Sequence, residues 1–295
     1  MSMLPEMENG QKIRHFNRSL RKRTWGIVRF LLLALFLVCA LFPLYWVIVT
    51  SLKGGREIFV YPIRYWPQSL SLENYAYLFR ISNFQVYFRN SLFVSLLGAV
   101  GSLVFAMFSG YAISRLRAKR MRMAFLLGMY FTQIIPTYII MTPLYISIAG
   151  LGLSDSLFSL TVIYIGMMVA FATIMGSSFF AMVPVSLEEA AQIDGCNRIQ
   201  ALLQIVFPLT LPGLAAIFSF CFVNIWNELF LAVMMMSSDS KMTVPVALNS
   251  FISKAGINWG VLSSGIVVAL LPTLIVFAFM QKYIIIGLTE GAVKE

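Results

Sequence analysis

The side chains of this sequence whose types and spacing could do chemistry fall in two places. From Ser186 to Pro208 the chain reads SLEEAAQIDGCNRIQALLQIVFP, with three of the twelve acidic residues (Glu188, Glu189 and Asp194) in a polar interruption of apolar sequence. Further on, FVNIWNELF carries Asn224, Asn227 and Glu228, the last being the one carboxylate inside a long apolar segment. Spacings of three and four put all three residues on one face of a continuous helix. Burying an ionisable group in a membrane is costly, which makes Glu228 a functional candidate. Amides and a carboxylate there could bond the hydroxyls of a passing solute. The same groups could bond neighbouring helices and hold a bundle together. Gln133, close to Pro136, admits the same two readings. Trp226 reads as packing.

Enzyme chemistry finds little support. The single histidine, His15, lies in a basic N-terminal stretch, so no Ser-His-Asp arrangement exists. Neither G-x-x-x-x-G-K-[ST] nor H-E-x-x-H occurs, so the chain is not expected to cradle ATP phosphates or hold a catalytic zinc. Cys39, Cys196 and Cys221 are scattered without metal spacing. The expectation is a chain with no catalytic residues, no metal and no cofactor of its own.

The elements that must position these residues are membrane spans. Of 295 residues, 59% are hydrophobic and only 12% charged, against roughly 25% charged in an average soluble domain. The reading is an all-α polytopic membrane protein of six transmembrane helices, with a cytoplasmic two-helix coupling elbow between helices 4 and 5. Residues 1–24 are a basic, flexible tail. The transmembrane domain occupies 25–286, with spans at about 25–49, 91–113, 123–148, 157–182, 209–236 and 261–286; the coupling loop is 184–208 and the C-terminal tail 287–295. Pro136 and Pro143 predict a bent or locally unwound third span.

Charge gives the orientation. The net charge of +10 could suggest nucleic acid, but its distribution suits topology instead. The tail holds six Lys/Arg before Trp25, and Arg115, Arg117, Lys119, Arg120 and Arg122 follow span two. By the positive-inside rule both termini and the elbow are cytoplasmic. The long first outer loop carries Lys53, Arg56, Arg64, Arg80 and Arg89, but long loops count less.

Within the elbow, Ser186 and Glu189 fit a capping box. Ala190 and Ala191 favour helix and let another backbone approach closely. Gly195 suits the left-handed residue that ends a helix. Asn197 with Gln200 is a second, weaker start signal, and Pro208 marks a boundary.

Glu189-Ala190-Ala191, then Gly195, Ile205 and Pro208, resemble the EAA loop of permease subunits of bacterial ABC importers. The strings Leu72-Glu73-Asn74-Tyr75, Asn90-Ser91-Leu92 and Trp226-Asn227-Glu228, and the ending Gly287 to Lys294, resemble carbohydrate-importer permeases. Together they cover most of the chain and match the shorter, six-span permease of maltose-type transporters; Phe207 departs, standing where the family often has Leu. The resemblance implies a bacterial plasma-membrane heterodimer with a homologous second permease. It also implies two ATPase subunits that bind ATP and Mg, and an extracytoplasmic solute-binding protein that delivers a mono- or oligosaccharide. Ser186, Glu188, Glu189, Ala190, Ala191, Asp194, Gly195, Ile205 and Pro208 would then couple to the ATPase, with Glu188, Glu189 and Asp194 facing basic groups on it. Gly291 to Lys294 is expected to touch it as well. Asn224, Asn227, Glu228 and Gln133 would line the substrate path. An importer of polyols, glycerol phosphoesters or amino acids is the alternative within transport. An ion channel, an ATP-independent carrier or a scaffold is the alternative outside it.

Overall fold

The computed structural model describes residues 4–80, 82–253 and 256–290; the expected contact of Gly291 to Lys294 lies outside them. Among the described residues five helices are long and apolar enough to cross a membrane: Trp25–Ser51, Phe84–Ser114, Leu157–Met182, Arg198–Trp226 and Trp259–Tyr283. A sixth candidate is the pair α4 (Lys119–Ile134) and α5 (Thr137–Gly150), bent by 90° at the break. Pro136 causes that break, because proline excludes the residue before it from helical backbone; Ile135 is extended at ψ 118°. Pro143 is carried inside α5.

Contacts between the remaining helices show that this bent pair traverses the bundle. Helix α3 (Phe84–Ser114) and helix α6 (Leu157–Met182) pack along their lengths. Near their starts, Tyr87 of α3 bonds Asp239 while Asp155, just ahead of α6, bonds Ser238 of the same loop. Near their ends, Arg115 just past α3 bonds Glu188 just past α6. The two helices are therefore parallel. The chain leaving the end of α3 must return to the level of its start before α6 begins, and α4 and α5 make that crossing.

Small residues let these helices approach. A Cβ on Gly110 would lie 2.9 Å from the backbone nitrogen of Ser177 and 3.2 Å from the carbonyl oxygen of Thr173. Ala99, Ala106 and Ala172 share the same core, where backbone proximity rather than hydrophobicity drives association in lipid. Helix α9 (Phe207–Trp226) closes the core with Leu214, Ile217 and Phe222. Trp226 is buried as packing: its indole Nε1 donates to the Ala269 carbonyl at 3.1 Å and its ring lies edge-on to Phe88.

Helix α1 runs Leu4–Ser51, so its helix extends back beyond Trp25 instead of starting there. Its main partner is α12 (Trp259–Glu290); from Trp25 to Ile48 none of its residues is buried, and only the end, Val49 to Ser51, is. The strings flanking the spans prove to be staples. Asn74, on the short helix α2 (Glu73–Arg80), donates to the carbonyls of Ser51 at 3.0 Å and Lys53 at 2.8 Å, capping the end of α1. Asn90 donates to the carbonyls of Ser240 and Met242, both at 3.0 Å, and Ser91 Oγ accepts from Val244 N at 2.7 Å. These bonds tie α3 to α11 (Val244–Ser250). Residues 252–257 add a two-residue antiparallel ladder, Ile252–Ser253 with Gly256–Ile257.

Candidate functional site

The elbow is built from α7 (Val185–Ile193) and α8 (Arg198–Ala201). The capping box expected at Ser186 does not form. Pro184, with φ at −58°, sets the entry and the helix starts at Val185, so Ser186 lies inside the first turn and is exposed. The weaker signal is the one realised. Gln200 N donates to Asn197 Oδ1 and Asn197 N to Gln200 Oε1, both at 2.8 Å, a complete capping box. Between them Gly195 takes φ +95°; Cys196 N bonds the Ala191 carbonyl at 2.9 Å and Gly195 N the Gln192 carbonyl at 3.1 Å. This is a Schellman ending, and glycine meets its left-handed requirement without a Cβ penalty.

Pro208 is not a boundary. Helix α8 passes through a π-turn at Leu202–Val206 directly into α9, so one rod runs from Arg198 to Trp226. The widened turn lets the chain carry Pro208 without the clash against the carbonyl four residues back that a regular helix would impose. Ile205 is half-buried on this turn, and Pro208 is exposed.

The acidic residues divide. Glu189 and Asp194 are exposed, as is Ala190, while Ala191 packs inward. Glu188 does not face outward as expected. It is 3% exposed and lies inside the chain, where Oε1 accepts a hydrogen bond from Arg115 Nε at 2.7 Å and Oε2 accepts one from Tyr111 Oη at 2.6 Å. Arg115 also pairs with Glu188 through Nη2, and that nitrogen donates to the Val183 carbonyl at 3.1 Å. Tyr111, in the last turn of α3, and Arg115, its C-cap, sit four apart, a spacing that places them together, but the positive-inside rule reads Arg115 as a topology signal. The open face carries Leu187, Ile193 and Ile199, the last two 86% and 62% exposed. Residue-type reasoning had passed over these aliphatic side chains.

The second site differs from the expected single face. Helix α9 ends at Trp226, and α10 (Phe230–Met235) starts after a break. Asn224 and Asn227 remain on an exposed face, their Nδ2 groups donating to the Phe220 and Val223 carbonyls at 2.8 Å. Their Oδ1 atoms stay available to a hydroxyl donor. Glu228 turns away and is half-buried. It accepts from Tyr164 Oη at 2.5 Å and from the backbone nitrogens of Leu231 and Ala232 at 3.0 and 3.2 Å, so it caps α10 and ties it to α6.

Gln133 stands apart from the asparagines. With Thr132 and Thr137 it lines a groove of about 470 Å³ between α5 and α6, which Leu231 of α10 also borders. Tyr138 meets Phe230 edge-on at 5.0 Å. The broken third span and the broken fifth span thus pack against each other.

Comparison with known proteins accords with this geometry. Residues 102–285 match the family model described as binding-protein-dependent transport system inner membrane component. The chain is 36% identical to the inner membrane ABC transporter permease protein YcjP of Escherichia coli (strain K12), over 92% of this chain and 98% of that one. It is 34% identical to the diacetylchitobiose uptake system permease protein DasC of Streptomyces coelicolor, over 94% and 99%. Among solved structures it is similar to a chain of a bacterial ABC transporter involved in the import of the acidic polysaccharide alginate, with a TM-score of 0.78, 28% identity and coverage of 90% and 98%. A family match over more than half the sequence, on a bundle of the same shape, places it: this chain belongs to the binding-protein-dependent transport system inner membrane components.

Proposed function

We propose that the chain is the permease subunit of an ATP-driven importer of sugars, in the bacterial plasma membrane, with both termini and the elbow cytoplasmic. It forms half of the translocation path, and a homologous second permease forms the other half. An extracytoplasmic binding protein presents a mono- or oligosaccharide, and two separate ATPase subunits carry ATP and Mg. The basic segments on the elbow side support the orientation. The similarity to permeases of diacetylchitobiose and alginate transporters supports the solute class.

The observation that carries the coupling role is the unbroken rod from Arg198 to Trp226. A push on α7 and α8 cannot dissipate in a flexible loop. It travels through the π-turn into α9 and reaches Asn224 and Asn227 at the far end. The Arg115–Glu188 pair carries the same push into α3. Ile193, Ile199, Glu189 and Asp194 form the surface that meets the ATPase: an apolar ridge flanked by carboxylates, suited to a groove with basic edges. In this reading Ser186, Ala190, Ala191, Gly195, Ile205 and Pro208 shape the elbow. Glu228 holds the broken fifth span to α6, and Gln133 lines the groove between α5 and α6 that borders the path.

The experiment is uptake of labelled oligosaccharides by proteoliposomes holding the assembled importer with its binding protein outside and ATP inside. ATP-dependent accumulation of a sugar is the expected result. Accumulation of an amino acid or a polyol, with no sugar transported, would reject the solute class.

A further inference from the structure

At the end of the bundle remote from the elbow, a cavity of about 310 Å³ opens between the end of α1 and the start of α12. Its walls include the rings of Trp46, Phe59 and Trp259 and the polar side chains of Thr50, Lys53 and Ser263. All three polar residues are more than nine-tenths buried: Thr50 is 6% exposed, Lys53 3% and Ser263 5%. The Lys53 ammonium donates to the Arg64 carbonyl at 2.5 Å and lies 4.8 Å from the centre of the Trp46 ring. Among the described residues no carboxylate pairs with it, and the hydroxyls of Thr50 and Ser263 make no hydrogen bond.

A buried cation without an anion, beside two unspent hydroxyl donors, is a costly arrangement that a ligand rich in anionic oxygens would relieve. The depth of the cavity names the ligand. It lies where the spans Trp25–Ser51 and Trp259–Tyr283 end, level with the membrane–water interface, and its two tryptophans suit that level. Below it α1 is bare: from Trp25 to Ile48 no residue is buried, and Phe36, Leu37 and Leu41 are exposed along it. A solute on the translocation path would meet Asn224 and Asn227 on α9, not this outer corner.

We propose that the cavity binds the phosphodiester headgroup of an anionic phospholipid from the outer leaflet. Lys53 pairs with the phosphate, Thr50 and Ser263 donate to its oxygens, and the acyl chains run along the bare face of α1. The lipid then reinforces the angle between α1 and α12, which also rests on their mutual packing and on Asn74 of α2, bonded to the end of α1 and packed against Gly260 of α12.

The test is native mass spectrometry of the delipidated importer complex, titrated with phosphatidylglycerol or with phosphatidylcholine of the same chains. The wild type is expected to hold one phosphatidylglycerol at least ten-fold more tightly than phosphatidylcholine. Lys53→Met should abolish that preference, and Thr50→Val with Ser263→Ala should weaken it several-fold. If Lys53→Met fails to assemble, the double hydroxyl variant decides alone. Equal retention of both lipids by the wild type, or undiminished preference in the variants, would overturn the proposal. Displacement of the lipid by millimolar soluble glycerol phosphate would overturn it too, assigning the site to a solute.

Discussion

Arg115 and Glu188, 73 residues apart, meet in a largely buried ion pair that clamps the end of α3 to the first helix of the elbow. Tyr111 completes it with a bond to the other carboxylate oxygen. Removing one member strands a charge: Glu188→Gln or Arg115→Met should each destabilise by about 3–5 kcal/mol. The double variant should cost less than the sum, because neither charge is then orphaned. Thermal unfolding of the three variants in detergent checks the sign of the coupling. Strict additivity would show that the pair does not act as a unit.

Gly195 occupies φ +95°, so a β-branched side chain there is strained by about 1–3 kcal/mol. Gly195→Val is expected to insert and assemble but to misplace α8 relative to α7. Glu189→Lys reverses an exposed charge and leaves the fold alone. Both should sever ATP hydrolysis from uptake, read as ATPase activity that no longer responds to the loaded binding protein. Normal coupled transport by both variants would remove the elbow from the mechanism.

Asn224, Asn227 and Glu228 are expected to behave differently from one another despite their adjacency. Asn224→Leu and Asn227→Leu should lower sugar uptake about ten-fold with thermal stability unchanged, since their side chains bond only their own helix. Glu228→Ala removes the cap of α10 and the Tyr164 bond, and should cost about 1–3 kcal/mol of stability. Uptake and melting measured on the same preparations separate the two roles.

Asp155 joins the turn before α6 to the loop after α10. It accepts from the Ser238 side chain and from the backbone of Ser237 and Ser238, and pairs with Lys241. Those hydrogen bonds, the Ser238 hydroxyl first, hold its carboxyl well below the ordinary carboxylate range. A folded-state value below the unfolded one gives stability that is present above the unfolded pKa, about 3.9, and is lost as pH falls toward the folded one. Unfolding scans from pH 5 down to pH 3 should therefore show a steeper decline for the wild type than for Asp155→Asn. Parallel curves would contradict this.

How far the architecture was legible depended on which local signal had a competitor. The spans, the break at Pro136 and the left-handed Gly195 followed from composition and from backbone chemistry that nothing else opposed. The elbow offered a capping box at Ser186–Glu189 and a weaker start signal at Asn197 with Gln200, and only the weaker one formed a capping box. Pro184 moved the first helix back by enough to place Ser186 inside it, which no side-chain pattern announces. Pro208 looked like a stop because a regular helix would stop there; a π-turn carried it through. The end of α9 at Trp226 had no proline or glycine to mark it, so three residues with perfect helical spacing were drawn on one face that the chain does not build. Glu188 shows the remaining limit. Its partner lies on another span, and long-range pairing is not written in local spacing.

The central claim is that the elbow's open face docks a separate ATPase. The most direct measurement is retention of the ATPase subunits after gentle extraction, comparing the wild type with Ile193→Asp plus Ile199→Asp, both exposed positions whose change spares the core. The expected result is ATPase bound to the wild type and absent from the variant, with the second permease retained by both. A wild type that carries no ATPase, or a variant that keeps it in full, would contradict the account.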